Sequence, residues 1–236
     1  MKKRIGIIFA DSMEYAPFEK YARKYDVGYK DIYSDESFSF SVKHGGNEAE
    51  IIAIKAGVGK TNVAMATALL IGCENADIIL NAGLSGAVSG CRRSDIMVGE
   101  TYVECDFDLT AIGYKPGEKP DGQKYVYSGN KELVSIGKKC GAKVGALGSG
   151  DVFLTDREKK NYYKNTFSIN AFDMETGAIA AVCDKCNIPF MSVRKISDDA
   201  EDAAYESYRE MNEAQEECLS EFLMRFIEKM LDEEAL

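Results

Sequence analysis

The sequence predicts an α/β protein, in which strands and helices alternate along a chain of 236 residues. Short apolar runs, such as residues 4–10 and 188–196, are separated by segments of helical composition. One stretch, residues 168–202, has the pattern of a strand, a helix and a second strand, which predicts a parallel pair joined by a crossover helix. No linker or repeat interrupts the alternation, so we expect a single domain over residues 1–236.

Each element follows from its apolar pattern and its flanking turn residues. Strands are predicted at residues 4–10, 38–44, 49–56, 76–80, 96–103, 143–147, 169–172 and 188–196. Helices are predicted at residues 13–25, 61–73, 130–140, 156–164, 178–182 and 205–231. Gly45-Gly46 predicts an antiparallel hairpin between the second and third strands. The last helix is expected to bury a stripe that consists of Met211, Cys218, Phe222, Phe226 and Met230.

Polar or glycine-rich residues follow five of these strands. They are Glu14 and residues 81–86, 149–154, 173–175 and 197–198. Ligands of open α/β sheets bind outside the carboxyl ends of the strands, so we expect Glu175 and Asp198 to face one pocket, with Glu14 as a further candidate. Each acid has a simpler interpretation as a helix N-cap or as a partner of a helix dipole. Residues 81–86 could likewise form only a tight turn.

Composition excludes several classes of function. The formal net charge is −10, with 39 acidic against 29 basic residues, and no long Lys/Arg cluster favours nucleic-acid binding. The apolar runs are too short for a membrane span, and the first of them is too short for a signal peptide. Seven scattered cysteines indicate a reducing cytosol, and we interpret the Cys183-x-x-Cys186 pair as helix packing rather than a metal site.

Two loop regions need separate interpretation. Residues 56–61, AGVGKT, resemble a phosphate-binding loop, but the motif requires glycine where this chain has Ile54. We therefore place Lys60 at the surface, although the start of the following helix could approach a ligand. Residues 104–122 form a long loop rich in Gly, Pro and acid, and loops of this length are usually functional or disordered.

The paired carboxylates are suited to acid–base chemistry. Cleavage of a sugar–base bond needs an acid at the leaving group and, for hydrolysis, a base that activates water. Carboxylates can serve both roles when their environments separate their pKa values. Carboxylates are generic, however, so the residues alone do not choose this reaction over others.

Seven segments together resemble the nucleoside phosphorylase/nucleosidase superfamily, and most closely its 5'-methylthioadenosine/S-adenosylhomocysteine nucleosidases. They are IGII with the ME that follows it, AGVGKTNVA, NAGLSGAV, DFDLTAIGY, GSGDVFL, FDMETGAIAAVC and VRKISDDAED, which span nearly the whole chain. The resemblance implies an α/β/α sandwich with a mixed, partly barrel-like central sheet. It further implies a homodimer that uses no metal or organic cofactor.

The resemblance also implies roles for individual residues. Glu14 matches the acid that activates water, Asp198 the acid that protonates N7 of adenine, and Glu175 the residue that binds the ribose hydroxyls. The remaining matches are substrate-binding: Met174 at the ribose, Ser197 beside Asp198, Arg194 near the water, Gly83 and Leu84 in the NAG segment, Val152, Phe153 and Leu154 around the purine with Phe153 stacking, and Tyr208 closing the pocket. Residues 108–114 match a region near the dimer interface.

Three positions depart from the family pattern. Leu84 replaces a usual serine, Cys105 a frequent histidine, and Asp173 the commoner glutamate. The 5' group of the substrate therefore stays open among methylthio, homocysteinyl, hydroxyl and aminofutalosine types. Two alternatives to a hydrolase also stay open. One is a purine nucleoside phosphorylase, which the acidic Glu14 disfavours because it would repel phosphate. The other is a nucleoside-binding homologue without turnover.

Overall fold

The computed structural model describes residues 2–33, 35–201 and 213–233, and within them it contains ten strands and six α-helices. The strands are β1 Lys3–Phe9, β2 Gly28–Ile32, β3 Asp35–His44, β4 Asn47–Lys55, β5 Ile78–Ala87, β6 Ile96–Glu104, β7 Val126–Ser128, β8 Lys143–Ser149, β9 Ala171–Asp173 and β10 Phe190–Asp198. The helices are α1 Ser12–Ala22, α2 Lys60–Gly72, α3 Lys131–Lys139, α4 Arg157–Phe167, α5 Thr176–Cys186 and α6 Glu213–Asp232.

All ten strands form one mixed sheet, part of which closes on itself. The strand order is β10-β6-β8-β9-β5-β1-β4-β3-β2, with β7 added beside β6. An additional parallel pairing between β10 and β5 closes a ring of five strands. Strands β1 to β4 extend from this ring as an open sheet. The structure therefore confirms the α/β class and the mixed, partly barrel-like sheet.

Helices cover both faces of the sheet, because the central strands are apolar on both sides. On β1, Ile5 and Ile7 face the core formed with α1, α3 and α6, whereas Ile8 faces the core formed with α2 and α5. This division is the two-residue alternation expected of a strand. It confirms the layered sandwich.

The predicted parallel pairing of the two strands in residues 168–202 is wrong. Strand β9 pairs with β8 and runs antiparallel to β5, whereas β10 pairs with β5 and β6. Helix α5 thus carries the chain from one side of β5 to the other. Closure of the barrel brings β5 between the two strands, and a local strand–helix–strand pattern contains no information about that third strand.

Other elements differ from the prediction in extent. Strand β5 does not stop at Leu80 but continues to Ala87, so NAGLSGA is strand and not a turn. Strands β2 and β7 were missed because they are short and largely exposed. The predicted hairpin is confirmed, since β3 and β4 are antiparallel on either side of Gly45-Gly46. Within the loop of residues 104–122, β6 extends to Glu104 and two 3-10 turns follow, at Thr110–Ile112 and Pro120–Gly122.

The buried stripe of the last helix is confirmed in part. Phe222, Phe226 and Met230 are buried in the core that α6 shares with α1, whereas Cys218 is exposed. Met211 lies outside the described residues. No helix in the described part of the chain has the length and apolar character that a membrane crossing requires.

Candidate active site

A cavity of about 410 Å³ opens at the edge of the sheet where the predicted strand ends meet. Nine of the predicted site residues line it: Glu14, Leu84, Val152, Phe153, Leu154, Met174, Glu175, Ser197 and Asp198. Seven further residues complete the wall: Ala10, Asp11, Val58, Ser85, Gly86, Phe172 and Asp173. Every one of the five predicted strand ends therefore contributes to the same cavity.

Three predicted site residues are not among those that line the cavity. Arg194 is fully buried on β10, and Gly83 lies on β5 beside it. A side chain at position 83 would collide with both Arg194 and Glu14, so glycine is required there for the close approach of these groups. Tyr208 lies outside the described residues.

Glu14 is positioned by the first turn of α1 and by two backbone amides. The amide of Ala10 donates to its Oε2 at 2.9 Å, and the amide of Leu84 donates to its Oε1 at 2.8 Å. Burial raises the pKa of Glu14 to about 8, although the nearby Arg194 guanidinium acts in the opposite direction. Because Leu84 contributes through its backbone, the missing serine side chain does not remove this bond.

Arg194 holds three carboxylates together behind the cavity wall. Its Nε lies 3.1 Å from Asp173 Oδ2, its Nη2 lies 3.3 Å from Glu175 Oε2, and its Nη1 lies 4.0 Å from Glu14 Oε1. Buried charges persist when they are paired in this way. The arginine therefore sets the positions of the acids.

Asp173 and Thr176 form a buried polar network that was not predicted from the sequence. Asp173 Oδ1 accepts from the amides of Glu175 and Thr176 at 2.9 and 2.8 Å, which fixes the start of α5. The Thr176 hydroxyl contacts Asp173, Asn81 and Ser192. A signal was present, since Asn81 and Ser192 are polar residues within apolar strand sequences. The network fixes the backbone from which Glu175 projects.

Glu175 faces the cavity from the turn between β9 and α5. The amide of Gly59 donates to its Oε1 at 3.1 Å, while its Oε2 faces Arg194. Burial raises the pKa of Glu175, against the lowering effect of Arg194. A carboxylate held at both oxygens in this way can still accept hydrogen bonds from vicinal hydroxyls through its remaining lone pairs.

Asp198 occupies the end of β10 and has different partners. The Ser197 hydroxyl donates to its Oδ2 at 2.6 Å, and the amide of Ala200 donates to its Oδ1 at 2.7 Å. Burial raises the pKa of Asp198. A side chain at Gly86 would press on Asp198 and Ala200, so glycine lets β5 approach this acid closely. The raised pKa makes Asp198 easier to protonate than an exposed aspartate, which suits a proton donor.

Glu14 and Asp198 lie against different positions of strand β5. Glu14 contacts Gly83 and Asp198 contacts Gly86. At a rise of roughly 3.3 Å per residue, these points lie about 10 Å apart along the strand. Glu14 and Asp198 therefore border separate parts of the cavity, with room for a small ligand between them.

An apolar wall formed by Val152, Phe153, Leu154 and Phe172 flanks Asp198. Leu154 and Phe172 are buried, whereas Phe153 is 43% exposed at the cavity mouth. Phe153 is therefore not part of the buried core. Its ring lies where a flat ligand could cover it.

Within the residues that the structure describes, no group of three His, Cys, Asp or Glu side chains could hold a metal ion.

Comparisons with known proteins agree with this geometry. A sequence profile of the phosphorylase superfamily matches residues 4–231. The 5'-methylthioadenosine/S-adenosylhomocysteine nucleosidase of Buchnera aphidicola subsp. Acyrthosiphon pisum (strain APS) is 32% identical over 191 residues, which cover 78% of this chain and 82% of that protein.

Two solved structures share the fold. The Streptococcus pyogenes S-adenosylhomocysteine nucleosidase in complex with 5-methylthiotubericidin has a TM-score of 0.87 and 30% identity, covering 97% of this chain and 98% of that chain. The Helicobacter pylori 5'-methylthioadenosine/S-adenosylhomocysteine nucleosidase, complexed with a substituted pyrrolopyrimidine, has a TM-score of 0.89 and 25% identity, covering 96% and 98%. The chain therefore belongs to the phosphorylase superfamily and, within it, to the 5'-methylthioadenosine/S-adenosylhomocysteine nucleosidase family.

Proposed function

We propose that this protein hydrolyses the N-ribosidic bond of adenine nucleosides of the 5'-methylthioadenosine/S-adenosylhomocysteine type and releases adenine. The observation that carries the proposal is that Glu14, Glu175 and Asp198 line one cavity, with Glu14 and Asp198 against different positions of β5. The names of the relatives support the same reaction.

The geometry supports a specific role for each of the residues that line the cavity. The C1'–N9 bond breaks, its electron pair passes to the adenine, and Asp198 supplies a proton to N7. As that bond breaks, ionised Glu14 takes a proton from water, and the water oxygen bonds to C1' of the ribose. Glu175 accepts hydrogen bonds from the ribose hydroxyls, and Met174 packs on the sugar. Phe153 stacks on the purine between Val152 and Leu154. General acid–base groups of this kind typically contribute about 10²–10⁴-fold each.

Phosphorolysis is disfavoured by the charge of the cavity. The described residues that line it include five carboxylates, from Asp11, Glu14, Asp173, Glu175 and Asp198, and no lysine or arginine. Arg194 lies behind the wall and already faces three acids. A phosphate dianion would therefore meet net repulsion.

The test is product analysis with 5'-methylthioadenosine in the presence and absence of phosphate. We expect free adenine and free methylthioribose at a rate that does not rise with phosphate. A sugar 1-phosphate that scales with phosphate would replace the proposal with phosphorolysis. Binding without release of adenine would indicate a nucleoside-binding homologue.

Two further properties are also proposed. We propose a homodimer, with residues 108–114 close to the interface; the exposure of Ile112 in the single chain agrees with this. We also propose a cytoplasmic location, since all seven cysteines are unpaired thiols, as a reducing compartment would keep them. Sedimentation equilibrium and cell fractionation test these two points.

A further inference from the structure

Two loops border the cavity from the outside, and one polar network joins them. The first loop, Gly57–Lys60, contributes Val58 to the wall, and the second, Gly150–Leu154, contributes the residues proposed to bind the purine. Lys60 Nζ donates to Asp106 Oδ1 at 2.7 Å, and the amide of Asp151 donates to Asp106 Oδ2 at 2.9 Å. The amide of Lys60 donates to Asp151 Oδ1 at 2.8 Å, so Lys60, Asp106 and Asp151 form a closed hydrogen-bonded ring.

The start of α2 connects this ring to the ribose side of the cavity. Consecutive amides at this helix start hold two different acids: Gly59 donates to Glu175, and Lys60 donates to Asp151. Both bonds also place a carboxylate at the positive end of the helix dipole. Movement of Gly57–Lys60, the ribose-side loop, would therefore displace Glu175 together with Gly150–Leu154, the purine-side loop.

Lys60, which was predicted to lie at the surface, is only partly exposed. Its side chain is 24% exposed and that of Asp106 is 21% exposed. Asp106 also lies against the backbone of Gly150, so it supports the second loop by packing as well as by hydrogen bonding. A partly desolvated ion pair within a network contributes more than an exposed pair.

We propose that Lys60, Asp106 and Asp151 are positioning residues that lock the purine-side loop to the ribose-side loop and thereby set the affinity for the nucleoside. This inference rests on the proposed function. None of the three side chains lines the cavity, so they act through Glu175, Val58 and Val152–Leu154. Weakening the ring should separate the loops and reduce substrate affinity more than the rate of the chemical step.

The experiment compares Lys60→Met, Lys60→Arg and Asp106→Asn with the parent protein. We expect Lys60→Met to raise KM for 5'-methylthioadenosine about five- to tenfold, with kcat changed less than about threefold. Adenine binding, measured by calorimetry, should weaken by a similar factor. Lys60→Arg should restore most of the affinity, because it retains the cation. The double variant Lys60→Met/Asp106→Asn should be little weaker than either single variant, since both break the same ring.

A matched control separates local positioning from general stability. Lys139, at the end of α3, forms an ion pair of 2.6 Å with Glu233, and neither residue lines the cavity, so Lys139→Met should leave both KM and adenine affinity unchanged. Unchanged adenine affinity in folded Lys60→Met and Asp106→Asn proteins would overturn the inference, as would additive effects in the double variant. A parent protein that releases no adenine would refute the proposed function instead, and calorimetry with adenine would still test the ring.

Discussion

The two ends of the cavity use the same chemical group in different surroundings. At the water side, both oxygens of Glu14 accept backbone amides, and a buried arginine lies 4.0 Å away. At the purine side, Asp198 accepts one amide and one hydroxyl. The Ser197 hydroxyl has a second acceptor in the carbonyl of Ser85 at 3.3 Å, so it can turn when Asp198 carries a proton.

This difference separates the roles of the two acids. Amide donors that cannot turn favour the ionised form of Glu14, as a base requires, although burial keeps its pKa at about 8. A hydroxyl that can either donate or accept tolerates both protonation states of Asp198, as a proton donor requires. The partners of each acid, more than its burial, therefore indicate which one takes a proton and which one gives it.

The largest effect is expected from Glu14→Gln. The amide cannot accept a proton from water, so kcat should fall about 10²–10⁴-fold. An amide can accept only one of the two backbone bonds, and the unpaired N–H should lower the free energy of unfolding by about 1–3 kcal/mol. Steady-state kinetics and urea denaturation measure both effects. Full activity would reduce Glu14 to a helix-terminal charge.

Asp198→Asn should lower kcat by a similar factor but leave stability nearly unchanged. Its carbonyl can accept from Ala200, and the Ser197 hydroxyl can turn to accept from its amide group. The exposed neighbour supplies the control, because Asp199→Asn should retain parent turnover. A marked loss of stability in Asp198→Asn would contradict the idea that the hydroxyl adapts.

Arg194→Met tests the electrostatic side of the comparison. The change leaves Asp173 and Glu175 buried without their cation, and removal of one partner from a buried ion pair typically costs about 3–5 kcal/mol. Arg4→Met is a matched control, because Arg4 pairs with Glu50 at 3.0 Å in a partly exposed position and should cost about 1 kcal/mol or less. Equal losses of unfolding free energy in the two variants would show that Arg194 does not hold the acids together.

The smallest effect on activity is expected from Phe153→Ala. Because the ring is 43% exposed, its removal should change the free energy of unfolding by about 1 kcal/mol or less. Stacking of a base on an aromatic ring is worth roughly 1–3 kcal/mol, so KM should rise about tenfold. A KM equal to that of the parent would remove Phe153 from the purine site.

The sequence predicted the convergence at the site better than the strand pairing. Acids after short apolar runs identified Glu14, Glu175 and Asp198, because a strand end leaves a local pattern. The position of β5 between β9 and β10 depends on distant pairings that no local pattern encodes. The sequence NAGLSGA resembles a turn, yet it forms a strand. Its glycines allow the side chains of Glu14, Arg194 and Asp198 to approach the strand backbone closely. The role of Arg194 as a buried partner of three acids has no local signal either, since it depends on three other segments.

A substrate whose leaving group needs no proton tests the division of roles most directly. With 4-nitrophenyl β-D-riboside, the departing nitrophenolate is stable without protonation, so the acid becomes dispensable and the base does not. We expect Asp198→Asn to hydrolyse this compound at a rate close to that of the parent protein, and Glu14→Gln to remain about 10²–10⁴-fold slower. Equal impairment of the two variants on this substrate, or recovery of Glu14→Gln alone, would contradict the assignment of base and acid.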